Sequence, residues 1–438
     1  GTTFDNNMTA LNVAGTFFTP LALPPGNQSH QLYLTGGYDI SQTTRGTFSL
    51  AYAHATQTET FVVPSSTGRV NLGGRVDTTQ AQLGLTARPI PKLTLMADAR
   101  YSNRDDKTPI VQYNLSLPGA TTNGTNEPRS VETTSARIDA AYQLPAGFRL
   151  SGGADYEEKY RSTYAIRLVS QREQTVESSY RVELRRTLSD TVSGAVSYVR
   201  SEREGSPFLT NVLNVTLSPG SNLIAPLHLS DRTRDKVRLN VNWTPFDPLT
   251  LQLYVDEARD SYDSRTAAAL GPRTGEARNY SLDASYHFSP SWQATAWVSH
   301  NSTRAEQASL SASDMWAASL RNVSDSFGLA VRGKPLTRIS IGADLLRSDI
   351  TDESQLTAIT GPALTSLPDI STRLSTLKVW VKYALQKNYG VRLDYIYDRW
   401  SSDDWTWTSW VYSDGTRLIE GPSQKVQFIG LSGYFRWQ

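Results

Sequence analysis

The stretch QSHQLYLTGGYDISQTTRGTFSLAYAHATQ (residues 28–57) contains two runs of alternating residues on either side of a short polar turn. Six of its large apolar residues fall on one phase of this alternation: Leu32, Leu34, Tyr38, Phe48, Leu50 and Tyr52. Most of the intervening positions are Gln, Thr, Ser or Ala. A period of two residues is typical of a β-strand with one apolar and one polar face. The stretch therefore predicts an antiparallel hairpin whose two faces meet different surroundings.

The same alternation continues to the end of the chain. Further apolar runs with a period of two are 83–87, 93–99, 237–243, 249–255, 280–288, 377–383 and 429–437. An amphipathic helix would instead repeat its apolar positions every three to four residues. The pattern predicts an all-β protein.

Two kinds of connection separate the predicted strands. The short turns lie at 40–45, 89–92, 144–147, 188–190, 244–248, 289–291, 334–337 and 386–388. Long polar connections are clearest at 107–128, 204–230, 353–368 and 403–419. The spacing leaves strands of about 12 residues, twice the usual length in soluble proteins. Short turns on one side and long loops on the other are typical of a large antiparallel transmembrane β-barrel of the outer-membrane type, with periplasmic turns and extracellular loops.

Composition agrees with strands that are apolar on one face only. The chain of 438 residues is 38% hydrophobic, and its mean hydropathy is −0.41. The 43 basic and 42 acidic residues leave a net charge of +1, which gives no reason to expect a nucleic-acid partner. The absence of cysteine excludes disulfides, thiolate metal sites and covalent haem attachment within this chain.

Charged residues of both signs occupy the polar phase, which faces the lumen if the apolar phase faces lipid. Such a lining fits a wet bore or a large polar object inside it. These charges either contact a partner or pair with one another across strands. The candidate partner contacts are Arg100, Arg137, Asp139, Arg238, Asp256, Arg392 and Asp394.

The sequence contains about 17 long strands, whereas single-chain bacterial barrels ordinarily have an even number. The simplest interpretation is the C-terminal part of a larger, N-terminally truncated barrel. In that interpretation residues 1–27 are an outer loop or partial strand, and residues 28–438 form the transmembrane β-barrel. Alternatively, residues 8–19 hold an eighteenth, irregular strand.

No residue pattern predicts an enzyme, a metal site or a cofactor site. The five histidines are scattered singly, and nothing in the sequence places Ser, His and Asp together. Asp105-Asp106 and Asp403-Asp404 are either calcium ligands or, more simply, solvated loop charges. Three tryptophans in one loop are candidates for an extracellular contact, or else for anchors at the lipid head groups. They are Trp405, Trp407 and Trp410.

The segment LPPGNQSHQLYLTGGYDISQTTRGTFSLAYAHATQTETF (23–61) resembles the MtrB/PioB family of outer-membrane barrels. Members share a Pro-x-Asn-Gln-x-His-Gln segment, a Gly-Gly-Tyr strand, a Thr-Arg turn and an Ala-Tyr strand. The rest of the chain is similar to that family in strand length and turn spacing. The cysteine pair of some members is missing, and the chain ends in Trp437-Gln438.

This resemblance implies a non-catalytic barrel in the outer membrane of a Gram-negative bacterium. It would sheath a periplasmic multihaem c-type cytochrome and position it for electron transfer across the membrane, so that haem is carried by the partner and the barrel needs no cofactor of its own. A cell-surface multihaem cytochrome and outer-membrane lipid are further expected partners. The alternative from the residues alone is a porin-like diffusion or transport channel.

Overall fold

A computed structural model describes residues 26–61, 67–114, 124–163, 171–209, 226–263, 271–311, 314–405, 410–411, 417–418 and 423–436. Within these ranges the protein is all-β, with one 17-stranded antiparallel sheet and two small two-stranded sheets. The described residues include no helix that is long and apolar enough to cross a membrane. The alternative strand at 8–19 lies outside the described residues, as does nearly all of the segment 1–27.

The strands follow one another along the chain. Their bounds are β1 Asn27–Ser41, β2 Thr44–Gln57, β3 Gly74–Ile90, β4 Leu93–Asp106, β5 Gln112–Asn114, β6 Gly124–Thr125, β7 Val131–Gln143, β8 Phe148–Arg161, β9 Gln174–Thr187, β10 Val192–Gly205, β11 Arg232–Phe246, β12 Leu249–Tyr262, β13 Gly271–Ser289, β14 Trp292–Ser311, β15 Asp314–Leu336, β16 Ile339–Ala358, β17 Leu367–Ala384, β18 Tyr389–Asp403, β19 Trp410–Val411, β20 Arg417–Leu418 and β21 Ser423–Phe435.

The large sheet is an antiparallel meander. Each strand pairs with the strands before and after it, from β1–β2 through β17–β18. β4 pairs with β7 across the small β5–β6 hairpin, and β18 pairs with β21 across β19–β20. The strand count of about 17 is therefore confirmed. Among the described pairings, β1 is bonded only to β2 and β21 only to β18.

The short turns lie where the sequence predicts them, at one end of the sheet. Residues 42–43 join β1 to β2, and residues 91–92 join β3 to β4. The turn between β7 and β8 is a 3-10 turn, Pro145–Gly147, in which Ala146 and Gly147 have φ values of 58° and 75°. Glycine adopts this left-handed conformation at no steric cost, which explains its place in the turn.

Strand length is one point on which the sequence prediction is wrong. β13 to β16 have 19, 20, 23 and 20 residues rather than about 12, and much of the predicted loop 353–368 belongs to β16 and β17. Charged residues such as Arg278 and Glu353 continue the alternation beyond the apolar positions. These strands therefore extend beyond the apolar band as a hydrophilic wall. The sequence predicts a loop there because both faces of the strands are polar.

The two faces of the sheet differ in exposure as well as in chemistry. In β10, Val196 and Tyr198 are 46% and 41% exposed, whereas Ser197 and Ser201 between and beyond them are 7% and 6% exposed. A curved single-layer sheet exposes side chains on its convex face and crowds those on its concave face. The apolar phase is therefore the convex, lipid-facing surface, and the polar phase lines the lumen.

Tyrosines mark the edge of the apolar band on the long-loop side. The hydroxyl of Tyr101 donates to Glu132 at 3.1 Å, and that of Tyr156 donates to Glu158 at 3.2 Å. The same contact joins two further pairs, Tyr198 to Asp235 and Tyr280 to Glu257. Each ring thus has an apolar body on the membrane side and a polar end toward the loops, as expected for an interfacial aromatic girdle.

Candidate partner-binding surface in the lumen

The seven lumen residues predicted from the sequence all lie on the polar phase of their strands, but they do not form one site. Three pairs come together: Arg137 with Asp139 on β7, Arg238 with Asp256 across β11 and β12, and Arg392 with Asp394 on β18. Arg100 on β4 is exposed and makes no ion pair with a described residue. The candidates are therefore spread around the wall.

The first cluster spans β7, β8 and β9. Arg137 Nε lies 2.5 Å from Asp139 Oδ2, and Arg181 contacts both Asp139 and Asp155, the latter at 3.2 Å. Gly153 lies beneath them, where a Cβ would collide with the side chains of Asp139 and Arg181. Two arginines and two carboxylates satisfy one another here, so this cluster is a cross-strand tie within the wall.

The second cluster is centred on Asp256 of β12, which is 8% exposed. Its carboxylate lies 2.8 Å from Lys236 Nζ and 3.0 Å from Arg238 Nε, and it accepts a hydrogen bond of 2.9 Å from the Tyr254 hydroxyl. One carboxylate therefore serves three donors. The arrangement holds β11 against β12 in a defined register.

Replacing Asp256 with alanine should lower the free energy of unfolding by about 2 kcal/mol, because it leaves two cations and a hydroxyl without their acceptor. The measurement is the urea unfolding midpoint of the folded barrel in detergent. Asp283→Ala on β13 is the matched control, since Asp283 makes no ion pair with a described residue and should cost well under 1 kcal/mol. Equal losses at the two positions would contradict the assigned role of Asp256.

A third group, here called the lumen patch, surrounds a cavity of about 410 Å³ on β15 to β18. It lies toward the short turns, since the strand ends at Leu336 and Ala384 are close by in the chain. The lumen patch comprises Arg332, Asp344, Lys378, Trp380, Lys382, Arg392, Asp394 and Ile396 with Tyr434 of β21. Among the cavities of the described residues, this one combines an aromatic wall with an excess of positive charge.

The aromatic wall of the lumen patch depends on a glycine. Trp380 pairs across the strands with Gly342 and Asp394, and a Cβ at Gly342 would overlap the indole ring. The ring therefore lies flat over Gly342. The Arg392 guanidinium stacks 4.9 Å from its centre, and Lys382 Nζ lies 4.0 Å from the centre of the Tyr434 ring. These are cation–π geometries.

The charge balance of the lumen patch is positive. Arg332 pairs with Asp344 at 3.3 Å, and Arg392 pairs with Asp394 at 2.7 Å. Lys378 and Lys382 remain, and neither makes an ion pair with a described residue. The patch therefore offers two ammonium groups and aromatic faces to whatever lies in the bore. Carboxylates attached to an apolar or aromatic body fit this chemistry best.

A fourth cluster lies at the long-loop end of the wall. Arg172 is almost completely buried, donates to the carbonyl oxygens of Ser206 and Leu229, and lies 2.6 Å from Asp231. Burial lowers the pKa of the nearby His228, and the positive charges of Arg161 and Arg203 add to this effect. These residues tie loop backbone to the strands, a structural role.

Two of the five histidines contact carboxylates on the outer surface. His54 Nδ1 lies 2.5 Å from Asp77 Oδ1, and Lys107 Nζ lies 2.8 Å from the other oxygen. The hydrogen bond from Lys107 to Asp77 raises the pKa of Lys107. His300 Nδ1 lies 2.7 Å from Asp325. Among the described residues, no group of three or more His, Asp or Glu has the geometry of a metal site.

The predicted tryptophan contact is only partly within the described residues. Trp405 follows β18, is 39% exposed, and donates its indole N–H to the Pro368 carbonyl at 2.9 Å. Trp407 lies outside the described residues. Trp410 begins the short strand β19, and its side chain lies outside the part of the chain that the structure describes. The extracellular contact therefore stays a prediction.

Sequence reasoning did not assign Arg332, Lys378, Trp380, Lys382 or Tyr434 to a site. Alternation alone places all five on the inner phase of their strands. Their assembly depends on which residues face each other across β15 to β21, and the sequence carries no local signal for that register.

Comparisons with known proteins agree with this architecture. A family model described as an outer membrane beta-barrel porin, MtrB/PioB, matches residues 1–437. The outer membrane protein MtrB of Shewanella baltica is 24% identical over 427 residues, which cover 92% of this chain and 58% of that protein. The chain thus spans less than two thirds of the length of this relative.

Two solved structures share the fold. The ferric enterobactin receptor PfeA of Pseudomonas aeruginosa has a TM-score of 0.51 at 10% identity, covering 94% of this chain and 70% of the receptor. The siderophore receptor PirA of Acinetobacter baumannii has a TM-score of 0.51 at 9% identity, with coverages of 93% and 71%. At this identity the likeness concerns the barrel fold alone. The chain belongs to the MtrB/PioB family of outer-membrane β-barrel proteins.

Proposed function

We propose that this barrel surrounds a periplasmic multihaem c-type cytochrome and positions it for electron transfer across the outer membrane. The observation that carries the proposal is the combination of MtrB/PioB family membership with a lumen wall that is hydrophilic and charged along its length. A charged protein cannot enter hydrocarbon without a large desolvation cost. A barrel wall with polar groups on its inner face removes that cost by placing those groups around the guest.

The barrel contributes position and insulation, and the partner contributes the redox centre. The chain has no cysteine, so it cannot attach a c-type haem covalently. The haem groups belong to the cytochrome, the barrel is non-catalytic, and it carries no cofactor of its own. A second multihaem cytochrome at the cell surface would receive or supply the electrons at the long-loop end.

The position of the lumen patch near the short turns supports an entry point for the cytochrome at the periplasmic end of the barrel. Lys378 and Lys382 are available to carboxylates, and Trp380 and Tyr434 offer flat apolar surfaces. Haem propionates combine a carboxylate with an aromatic macrocycle, and acidic side chains on a cytochrome surface supply the same charge. The patch is therefore the part of the described wall that we expect to contact the cytochrome.

The test is purification of the full-length protein from its native outer membrane, followed by haem staining and measurement of the haem-to-barrel ratio. We expect a multihaem protein to co-purify at one copy per barrel. Vesicles containing the complex should reduce an external acceptor from an internal donor, whereas vesicles with the barrel alone should not. A barrel that never retains a haem protein would contradict the proposal.

The second candidate is a diffusion channel, which the porin description of the family favours. The two functions differ in ion conductance. A sheath should be nearly silent in planar bilayers when purified with its partner, and a channel should conduct in that same preparation. Steady conductance of the native preparation, without any bound haem protein, would establish the channel in place of the sheath.

A further inference from the structure

A row of cations crosses the outer surface of four neighbouring strands at the long-loop edge of the apolar band. Arg347 of β16 lies opposite Ser375 of β17, which lies opposite Arg399 of β18, and Arg399 lies opposite Lys425 of β21. Arg373 is two residues beyond Ser375 on the same face. We call Arg347, Arg373, Arg399 and Lys425 the cationic row. All four residues are on the apolar, lipid-facing phase.

The charge of this row is poorly compensated. Asp349 pairs with Arg347 at 2.9 Å and with Arg373 at 3.2 Å, so a single carboxylate serves two guanidinium groups. Arg399 and Lys425 are exposed and make no ion pair with a described residue. Asp403 lies further from the apolar band on the same face and makes no ion pair within the described part of the chain.

Like charges directly opposite each other on neighbouring strands are destabilising. Arg399 and Lys425 are such a pair, because their Cα atoms are register partners. On the neighbouring strands β13 to β15 of the same outer surface, cations at this level have their own carboxylates. Arg304 pairs with Glu306 at 2.8 Å, and Arg278 pairs with Glu276 at 2.9 Å. Compared with β13 to β15, the outer surface of β16 to β21 therefore carries uncompensated positive charge.

The position of the row indicates what shape of ligand could fill it. Immediately on the membrane side lie apolar and aromatic residues of the same phase, among them Leu345, Leu377 and Tyr397. Further down, Ile429 and Leu431 are 73% and 76% exposed. A ligand that reaches both regions has an anionic head at the level of the arginines and acyl chains along the apolar wall.

We propose that the cationic row binds the phosphorylated head group of an outer-leaflet glycolipid of the lipid A type. The row faces the outer leaflet because the long loops are extracellular. Guanidinium groups match phosphate oxygens in a bidentate geometry, and basic residues at a membrane surface attract anionic head groups. With neighbouring strands about 4.8 Å apart, the row is wide enough for the two phosphates of a glucosamine disaccharide. The bound phosphate relieves the repulsion between Arg399 and Lys425.

The test uses the full-length protein extracted from the outer membrane and measures bound lipid A by native mass spectrometry. The variant is Arg373→Gln/Arg399→Gln/Lys425→Gln. We expect wild-type protein to retain lipid A through delipidation, and the variant to bind it at least about tenfold more weakly. Dephosphorylated lipid A should bind the wild type as weakly as intact lipid A binds the variant.

The matched control is Arg278→Gln/Arg304→Gln/Arg321→Gln, which removes three cations that have carboxylate partners on the same outer surface. It should retain lipid A within about twofold of wild type. Heat-modifiable migration on gels will establish that each variant is folded before binding is measured. Equal retention by wild type and row variant, equal loss in the control, or equal binding of dephosphorylated lipid A would each overturn the proposal.

Discussion

Arginine in place of Leu253 should destabilise the folded barrel by about 2–4 kcal/mol, which lowers the ratio of folded to unfolded protein at least about thirtyfold. Leu253 pairs with Val241 on one side and Leu282 on the other, so it lies within the apolar band. A guanidinium at this position faces hydrocarbon without a carboxylate nearby. The measurement is the free energy of unfolding in lipid vesicles, together with the amount assembled in the outer membrane.

Gln252→Arg is the matched control because it adds the same side chain one residue away. Gln252 lies opposite Asn242 and Asp283 on the lumen face. An arginine there is hydrated and lies close to the Asp283 carboxylate, so we expect a change of less than 1 kcal/mol. If the two substitutions were equally damaging, or equally harmless, the assignment of the apolar phase to lipid would be wrong.

The alternation of side chains was sufficient to predict the fold and the two faces. In a strand, positions i and i+2 share a face whatever the partner strand is. The turns were equally visible, because Pro91 and Gly147 interrupt that alternation at short intervals. The number of long strands then followed from the positions of the turns. What local sequence could not supply was the height of β13 to β16, where both faces are polar.

Contacts between strands were out of reach for a different reason. Arg137 and Asp139 are two residues apart on one strand, so their pairing could be read from the sequence. Arg181 completes that cluster from a position 42 residues away. Such a contact depends on register, which hydrogen bonding and bulges set, for example the shift between Trp243 and Phe246. A slip of one residue would move Arg181 to the lipid face.

Reversing the two available charges of the lumen patch should separate the barrel from its proposed partner. In Lys378→Glu/Lys382→Glu, two ammonium groups become carboxylates close to Asp344 and Asp394. Placing carboxylates against an acidic surface costs several kcal/mol, so the affinity for the cytochrome should fall at least about tenfold. The measurement is the haem-to-barrel ratio after purification of the full-length variant from the outer membrane.

The matched control is Lys378→Arg/Lys382→Arg, which changes both side chains but keeps both positive charges and the cation–π contact with Tyr434. This variant should retain the haem protein at a ratio within about twofold of wild type. The glutamate variant must also remain folded, because both side chains project into the bore rather than into lipid. Full retention of haem by a folded glutamate variant would exclude the lumen patch as the contact surface and leave the sheath proposal to rest on other parts of the wall.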